Sequence, residues 1–307
     1  MIKSYPSGML LYVQPTKTNL SPDKRGDTKG WTRKATRSNT RFLYSIEADK
    51  LTGYGYAFTL TIRDLPETPA DWSKCRKTFL QSCRRLDLLR YHWINEWQRR
   101  GVPHLHGCLY FESEKQLNDL RRLLSQWCKI AAPYGAKYQG QQLKPITDQQ
   151  GWVKYLSKHA SRGADHYQRA NKPTQWANTG RVWGKGGDWP TNETLIEIPY
   201  YLIHIMRRLI RNWRLADARQ LLPVQFGDTK ILPDSPLYRE FVPGGFRDAK
   251  RIKSARKLLK VNDRKKSSVR GMSEWIGAEL CADMLQCAES IHQTRLQRNR
   301  EVFSHVR

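Results

Sequence analysis

Between residues 41 and 162 the hydrophobic positions alternate in short runs and recur at helical spacing in longer ones. Residues 41–47 (RFLYSIE) and 54–63 (YGYAFTLTIR) alternate on either side of a turn-rich stretch, and both are expected as strands. In the second, Phe58, Leu60 and Ile62 share one face, and Thr59 and Thr61 share the other. Pro69 opens a helix expected to run to about residue 89, with Trp72, Phe79, Leu80, Cys83 and Leu86 at helical spacing. Residues 91–97 and 103–112 alternate around QRRGV and read as a hairpin. Residues 114–132 return to the helical period, and a short helix is expected over about 148–162. This order predicts an α+β fold, an antiparallel β-sheet with helices packed on one face, followed by a basic helical C-terminal region.

The expected organisation is a polar, basic N-terminal extension (residues 1–40), an α+β domain (41–195) and a basic helical region (196–307). Residues 199–222 and 271–300 read as helices, and 239–270 holds twelve Lys/Arg against three acids. That tract reads as a solvated basic segment or as a phosphate-binding arm. The last helix has apolar positions for packing on the domain or for an oligomer contact, and the oligomeric state stays open.

Charge narrows the function. Across 307 residues, 54 Lys/Arg against 28 Asp/Glu leave a net charge of +26. This disfavours an enzyme of small acidic metabolites and suits a chain that meets phosphates, since each neutralised phosphate releases counterions. The six cysteines show no C-x-x-C spacing, so reduced thiols are expected rather than a disulfide framework or a zinc finger. Residues 195–210 are the most apolar run, but Glu197, His204, Arg207 and Arg208 interrupt it, so no membrane span or membrane partner is expected.

Candidate chemistry concentrates in YHWINEWQRRGVPHLHGCLYF, residues 91–111. On a strand His104 and His106 point the same way, together with Cys108 and Tyr110, while Leu105, Leu109 and Phe111 face the core. On the partner strand Tyr91, Trp93 and Trp97 form the apolar set, and Trp93 and Trp97 are expected in the core. His92, Ile94 and Glu96 then take the other face. A three-residue loop, Arg99-Arg100-Gly101, sets Glu96 directly opposite His104, whereas a two-residue loop puts it on the wrong face. Two imidazoles and a carboxylate there suit Mg²⁺ or Mn²⁺, the latter better matched to nitrogen, and zinc is chemically possible. Without Glu96 in register, an H-x-H pair is more simply two surface or core histidines.

On the helix expected over 151–162 (GWVKYLSKHASR), Tyr155, Lys158, His159 and Arg162 share one side. A phenol with an ordinary pKa of about 10 is a weak nucleophile near neutrality, and basic neighbours favour its phenolate. By itself Tyr-x-x-Lys is commonplace on an exposed amphipathic helix. Further on, Arg181, Trp183 and Lys185 in GRVWGKGGDW read equally as a DNA-contacting loop or as a structural turn.

The strand FTLT (residues 58–61), the triplet His104-Leu105-His106 and Tyr155-Leu-Ser-Lys158 follow one another in the order of the three motifs of HUH endonucleases that initiate rolling-circle replication. The phrase carrying Trp93, Glu96, Gln98, Arg100, Gly101, Pro103, His104 and His106, with the later Gly180-Arg181-Val182-Trp183-Gly184, is most similar to the filamentous-phage (inovirus) initiators. The resemblance covers about residues 41–187 and implies an RRM-like sheet. It implies His104 and His106 as ligands of Mg²⁺ or Mn²⁺ with Glu96 as the third, Tyr155 as the single nucleophile, and Lys158 as its basic companion. Tyr167, twelve residues on, is too far for the tyrosine pair of two-tyrosine relatives. The implied reaction nicks single-stranded DNA at a replication origin through a 5′-phosphotyrosine link and later rejoins it. Arg63, Arg99, Arg100, Lys154, Arg162, Arg181 and Lys185 would track the DNA. Host polymerase and helicase are the implied partners, the host bacterial cytoplasm the implied location, and GRVWGKG, one residue short of a P-loop, implies no ATPase. A single-tyrosine HUH transposase is the rival of the same chemistry. A basic nucleic-acid-binding protein without catalysis is the rival of another class.

Overall fold

The computed structural model describes residues 1–12, 29–148, 152, 156, 166–219, 224–226, 229–231, 252–253, 256, 272–274 and 276–304. They fall into two compact units. One holds Tyr5–Gly8 and the described residues from 29 to 193. The other holds residues 1–4 and 9–12 and the described residues from Thr194 onward.

The first unit is built on a five-stranded sheet of β3 (Tyr54–Thr61), β4 (Leu88–Trp97), β5 (Pro103–Phe111), β6 (Gln142–Pro145) and β7 (Trp183–Gly187). Their order is β6-β3-β5-β4-β7 and every pairing is antiparallel. Its helices are α1 (Arg33–Ser45), α2 (Pro69–Arg84), α3 (Leu117–Ile130) and the single turn α4 (Tyr167–Ala170). Helix α2 starts where the sequence says it should. The Thr68 hydroxyl accepts from Asp71 N–H, the Asp71 carboxylate accepts from Thr68 N–H, and Pro69 stands at the first helical position.

Helices α2 and α3 cover the apolar face of the sheet. Trp72, Phe79, Leu124 and Trp127 pack there with Phe58, Leu60, Trp93, Trp97, Leu105 and Leu109. Trp93 and Trp97 are core residues, 5% and 0% exposed. Trp127 is an edge-on partner for both Trp72 (centroids 5.8 Å apart) and Phe79 (5.7 Å), a geometry that aligns ring edges with ring faces.

Residues 41–47 are not a strand. They form the last turn of α1 and the residues just beyond it. The alternation of Phe42, Tyr44 and Ile46 reads as β, but Ala35, Asn39 and Phe42 are also at i, i+4 and i+7, and Thr32 caps the helix by accepting from Ala35 N–H. This face lands on the side of the sheet that lacks the large apolar set. Asn39 Oδ1 lies 2.7 Å from His92 Nε2, and Phe42 stacks on His92 and Trp183. Helices therefore cover both faces, not one as expected.

The second unit contains β1 (Ile2–Tyr5) and β2 (Gly8–Leu11), except for Tyr5 and Gly8 at their turn, together with β8 (Thr194–Ile196), α5 (Tyr200–Arg219), β9 (Val224–Phe226), β10 (Thr229–Ile231), β11 (Met272–Glu274) and α6 (Ala278–Ser304). Two of these strands lie in the stretch expected to be a polar extension. The sheet order is β11-β2-β1-β8, and β9 pairs with β10 apart from it. Leu202, Ile203, Met206 and Ile210 of α5 pack with Ile2, Met9, Leu11, Cys281 and Met284. Of the basic tract, only residues 252, 253 and 256 are among those described. None of the six cysteines is paired, and no helix among the described residues is long and apolar enough to cross a membrane.

His92 is fully buried under α1, and burial, reinforced by the nearby Lys185 charge, lowers its pKa to about 3. The folded state thus holds this imidazole neutral, while the unfolded chain takes up a proton near pH 6.5. Stability is present above that pH and falls as the pH drops below it, by up to about 1.4 kcal/mol per pH unit. Urea denaturation of the wild type between pH 7 and 5 should show this slope, and His92→Gln should lack it. Equal slopes in the two proteins would refute the assignment.

Candidate metal centre

The loop joining β4 to β5 fixes the centre. Gln98 N–H donates to Val102 O and Gly101 N–H donates to Gln98 O, each at 2.9 Å, closing a three-residue loop of Arg99, Arg100 and Gly101. Gly101 has φ +78°, a conformation that a side chain would strain. From this closure the register runs Trp97↔Pro103, Glu96↔His104 and Ile94↔His106. On the other flank of β5, Thr61 lies opposite His104 and Thr59 opposite His106. Since successive residues alternate faces, Glu96, His104, His106, Thr59 and Thr61 share the face opposite the tryptophan core.

Glu96 is completely buried, while the His104 and His106 side chains keep 12% and 20% of their surface. Glu96 Oε2 is 3.9 Å from His104 Nε2 and 3.8 Å from His106 Nε2, and the two Nε2 atoms are 3.1 Å apart. The circle through these three atoms has a radius of about 2.1 Å, the length of a bond from a small divalent cation to nitrogen or oxygen. Among the described residues this is the one group of three His, Cys, Asp or Glu residues placed to hold a metal ion. Its donors, one carboxylate and two imidazoles, fit Mn²⁺ well, and three protein ligands leave positions for water or substrate oxygens.

A second contact orients one ligand. Thr59 Oγ1 lies 2.9 Å from His106 Nδ1, which leaves the Nε2 lone pair for the shared centre when Nδ1 carries the proton. Thr59 was readable from the sequence only as a polar position on an alternating strand, with no sign that it would touch a histidine. Asn95, next to Glu96, points to the opposite face, where its Oδ1 accepts from Trp72 Nε1 at 2.9 Å. Its carbonyl accepts from Trp31 Nε1 at 2.7 Å and its N–H donates to Val182 O at 2.7 Å. The backbone beside Glu96 is therefore held from three directions.

The other expected site residues divide into three groups. Tyr155, Lys158, Lys154 and Arg162 lie outside the described residues. Within that stretch Trp152 and Leu156 are helical, Leu156 is buried, and the Trp152 indole lies against the Cys108 thiol, two residues from His106 on β5. Arg63, Arg99 and Arg100 gather where β3 ends and the hairpin turns. Arg100 donates to Ile62 O at 2.8 Å, Arg63 pairs with Asp64 in the open, and the Arg99 guanidinium is 5.7 Å from the Tyr167 ring centre. Arg181 is exposed just before β7, and Lys185 on β7 places its ammonium 4.1 Å from the Phe42 ring centre. Tyr110 shares the face of the histidines, but burial pushes its phenol well above the ordinary value, so it keeps its proton.

Comparison with known proteins points one way. A family model described as replication-associated protein, of the ORF2 or gene-2-protein type, matches residues 55–164, which include Glu96, His104, His106 and Tyr155. The replication-associated gene-2 protein of Pseudomonas phage Pf3 is 40% identical over 259 residues, 82% of this chain and 84% of that protein. A protein of Xylella fastidiosa strain 9a5c, whose name provisionally marks it as a replication protein, is 37% identical over 286 residues, 89% of this chain and 92% of the relative. No solved structure matches the chain.

Calorimetric titration with Mn²⁺ should detect one site per chain, abolished in Glu96→Gln and in His106→Ala. Thr59→Val, which keeps the shape and removes the hydroxyl, should weaken binding by about 10–100-fold. Undiminished Mn²⁺ affinity in Glu96→Gln would show that the cation is held elsewhere.

Proposed function

The chain belongs to this replication-associated protein family, the filamentous-phage-type rolling-circle replication initiators, and from that premise we propose that it nicks and rejoins single-stranded DNA at a replication origin. The observation that carries this reading is the convergence of Glu96, His104 and His106 within 4.8 Å on one face of the sheet, inside the segment that matches the family. In this reading the three side chains hold Mg²⁺ or Mn²⁺, and Tyr155 supplies the nucleophile. A divalent cation held there by Glu96, His104 and His106 would supply Lewis-acid stabilisation of the charge that develops on the phosphate and on the departing 3′ oxygen.

The chain's own residues carry the rest. Lys158 favours the phenolate of Tyr155, which attacks the scissile phosphorus in line. The bond from phosphorus to the 3′ oxygen breaks as the bond to the tyrosine oxygen forms. One end leaves as a 3′ hydroxyl after taking a proton, and the other stays as a 5′-phosphotyrosine diester. Diester replaces diester, so a later 3′ hydroxyl can reverse the exchange and release Tyr155. Tyr110 is unsuited to the role because its buried phenol resists ionisation. Trp152, against Cys108 on the histidine face, is three residues from Tyr155 in the sequence, and this proximity favours Tyr155 over the distant tyrosines.

Arg63, Arg99 and Arg100, at the hairpin end of the sheet, are suited to the phosphates beside the scissile bond. The 3′ hydroxyl left by the nick is a primer for a host polymerase, with a host helicase to separate the strands.

Incubation with a labelled single-stranded origin oligonucleotide and Mn²⁺ should give a DNA–protein adduct that survives denaturant. The adduct should be absent with EDTA, in Tyr155→Phe and in His106→Ala, the last with its fold retained. An adduct that persists in Tyr155→Phe would move the nucleophile, to Tyr167 first. Tight DNA binding with no adduct under any metal condition would leave a binding protein without catalysis.

A further inference from the structure

Strand β7 forms one edge of the five-stranded sheet, paired with β4 alone among the described strands. Its sequence, Trp183-Gly184-Lys185-Gly186-Gly187, places a glycine opposite Trp93 and another opposite Tyr91. A Cβ on Gly184 would come within 2.7 Å of the Trp93 ring, and one on Gly186 within about 2.5 Å of the Tyr91 ring. The two rings thus spread over an edge strand that has no side chains of its own on that face. Together with Ser73, Arg76, Lys77 and Leu80 of α2 they line a cleft of about 430 Å³ that Arg181 also borders.

Cations dominate this cleft, and among the described residues no carboxylate lines it. Arg76 is only 6% exposed, its guanidinium lies 3.9 Å from the Trp93 ring centre, and its Nη2 donates to Ser73 Oγ at 2.9 Å. None of the ion pairs among the described residues includes Arg76. Burial and then the positive charge of Arg181 lower its pKa to about 10, the mark of a cation kept among poor company. A buried guanidinium with hydrogen-bond donors left over and a second arginine close by is electrostatically complementary to an anion.

The edge continues past this cleft. A second hollow of about 310 Å³, lined by Ala35, Arg181, Val182, Trp183, Gly184 and Lys185, shares Arg181, Gly184 and Lys185 with the first. Trp183 and Tyr91 are both partly exposed and offer ring surface beside the cations. Cations that follow a strand edge, with aromatic faces between them, are the combination that binds single-stranded nucleic acid without reading its sequence.

We propose that Arg76, Lys77 and Arg181 seat a backbone phosphodiester of single-stranded DNA, in an anchoring cleft on the face of the sheet opposite Glu96, His104 and His106. The identity of the ligand rests on the reading of the chain as an origin-nicking protein, whereas the cleft and its charge do not. The cleft holds a stretch of strand away from the scissile bond, so that the strand passes over the β7 edge. Gly184 and Gly186 serve it by leaving the floor clear, and Trp93 by carrying Arg76 on its face.

Fluorescence anisotropy with a labelled oligothymidylate, full-length protein and EDTA measures this anchoring without origin sequence, metal or cleavage. Combining Lys77→Gln with Arg181→Gln should weaken binding by about tenfold at 0.1 M salt. It should also reduce the slope of log affinity against log salt by about 0.7, one single-strand phosphate contact. Arg121→Gln with Lys129→Gln, which removes equal charge from exposed positions of α3, should leave the slope unchanged. A cleft variant with wild-type slope, or one no different from the α3 variant, overturns the proposal. Equal loss for a duplex of the same length overturns its single-strand part. The nicking reading fails separately: wild-type protein that binds through the cleft and forms no adduct with Mn²⁺ sinks that reading alone.

Discussion

The pairing of Glu96 with His104 is the constraint on which the rest of the centre depends. Strand side chains alternate between faces, so a slip of one residue in the β4–β5 hairpin would turn Glu96 into the tryptophan core and bring Trp97 to the histidines. The three-residue loop and its left-handed Gly101 exclude that slip locally, and the core excludes it globally, because Trp93, Trp97, Leu105 and Leu109 must all face α2 and α3 together. A fully buried carboxylate is costly unless positive charge or hydrogen-bond donors meet it. Its place beside two imidazoles, both still partly open, is that of a ligand set with its open side toward solvent.

Rigidity behind the centre comes from polar atoms as much as from packing. Asn95 takes an indole N–H from Trp72 of α2 on its side chain and a second from Trp31 on its carbonyl, so both faces of the sheet are tied to the residue beside Glu96. Such ties are directional, unlike hydrophobic contacts, and they set the ligand geometry to fractions of an ångström. Thr59 on β3 does the same for His106 from the other flank. The centre is therefore assembled from three adjacent strands and steadied by a helix on the apolar face.

What the sequence disclosed follows from which signals are local. The hairpin was readable because alternation, loop length and the placing of glycine act within some twenty residues, and together they predicted the pairing of Glu96 with His104. The helices α2 and α3 were readable for the same reason. Helix α1 was misread because Phe42, Tyr44 and Ile46 alternate like a strand, while Phe42 also continues the helical spacing of Ala35 and Asn39. The deciding facts are the Thr32 cap and the contact of Asn39 with His92, fifty-three residues away. Strands β1 and β2 escaped because each is only four residues long, too short for a clear alternation, and beyond their pairing with each other they are completed by β8 and β11, far along the chain. Thr59 was visible as a polar position, but its contact with His106 needed the β3–β5 register, and nothing local marks Arg76, whose place on the Trp93 ring follows from the packing of α2 on the sheet.

The two clearest electrostatic costs in the first unit have the same logic with opposite signs. Among the described residues Glu96 is a buried acid beside two imidazoles, and Arg76 is a buried base that feels the positive charge of Arg181. Buried charges of this kind are weak contributors to stability, since taking them out of water costs several kcal/mol. Charges set in this way are strained by themselves and relieved by a ligand of the opposite sign, so binding and folding draw on the same free energy. In the proposed function a cation would answer the first and a phosphate the second. The sheet between them, stiffened by interlocked indoles, fixes the distance between the two, so in the proposed function a strand held at one site would present a defined length of backbone to the other.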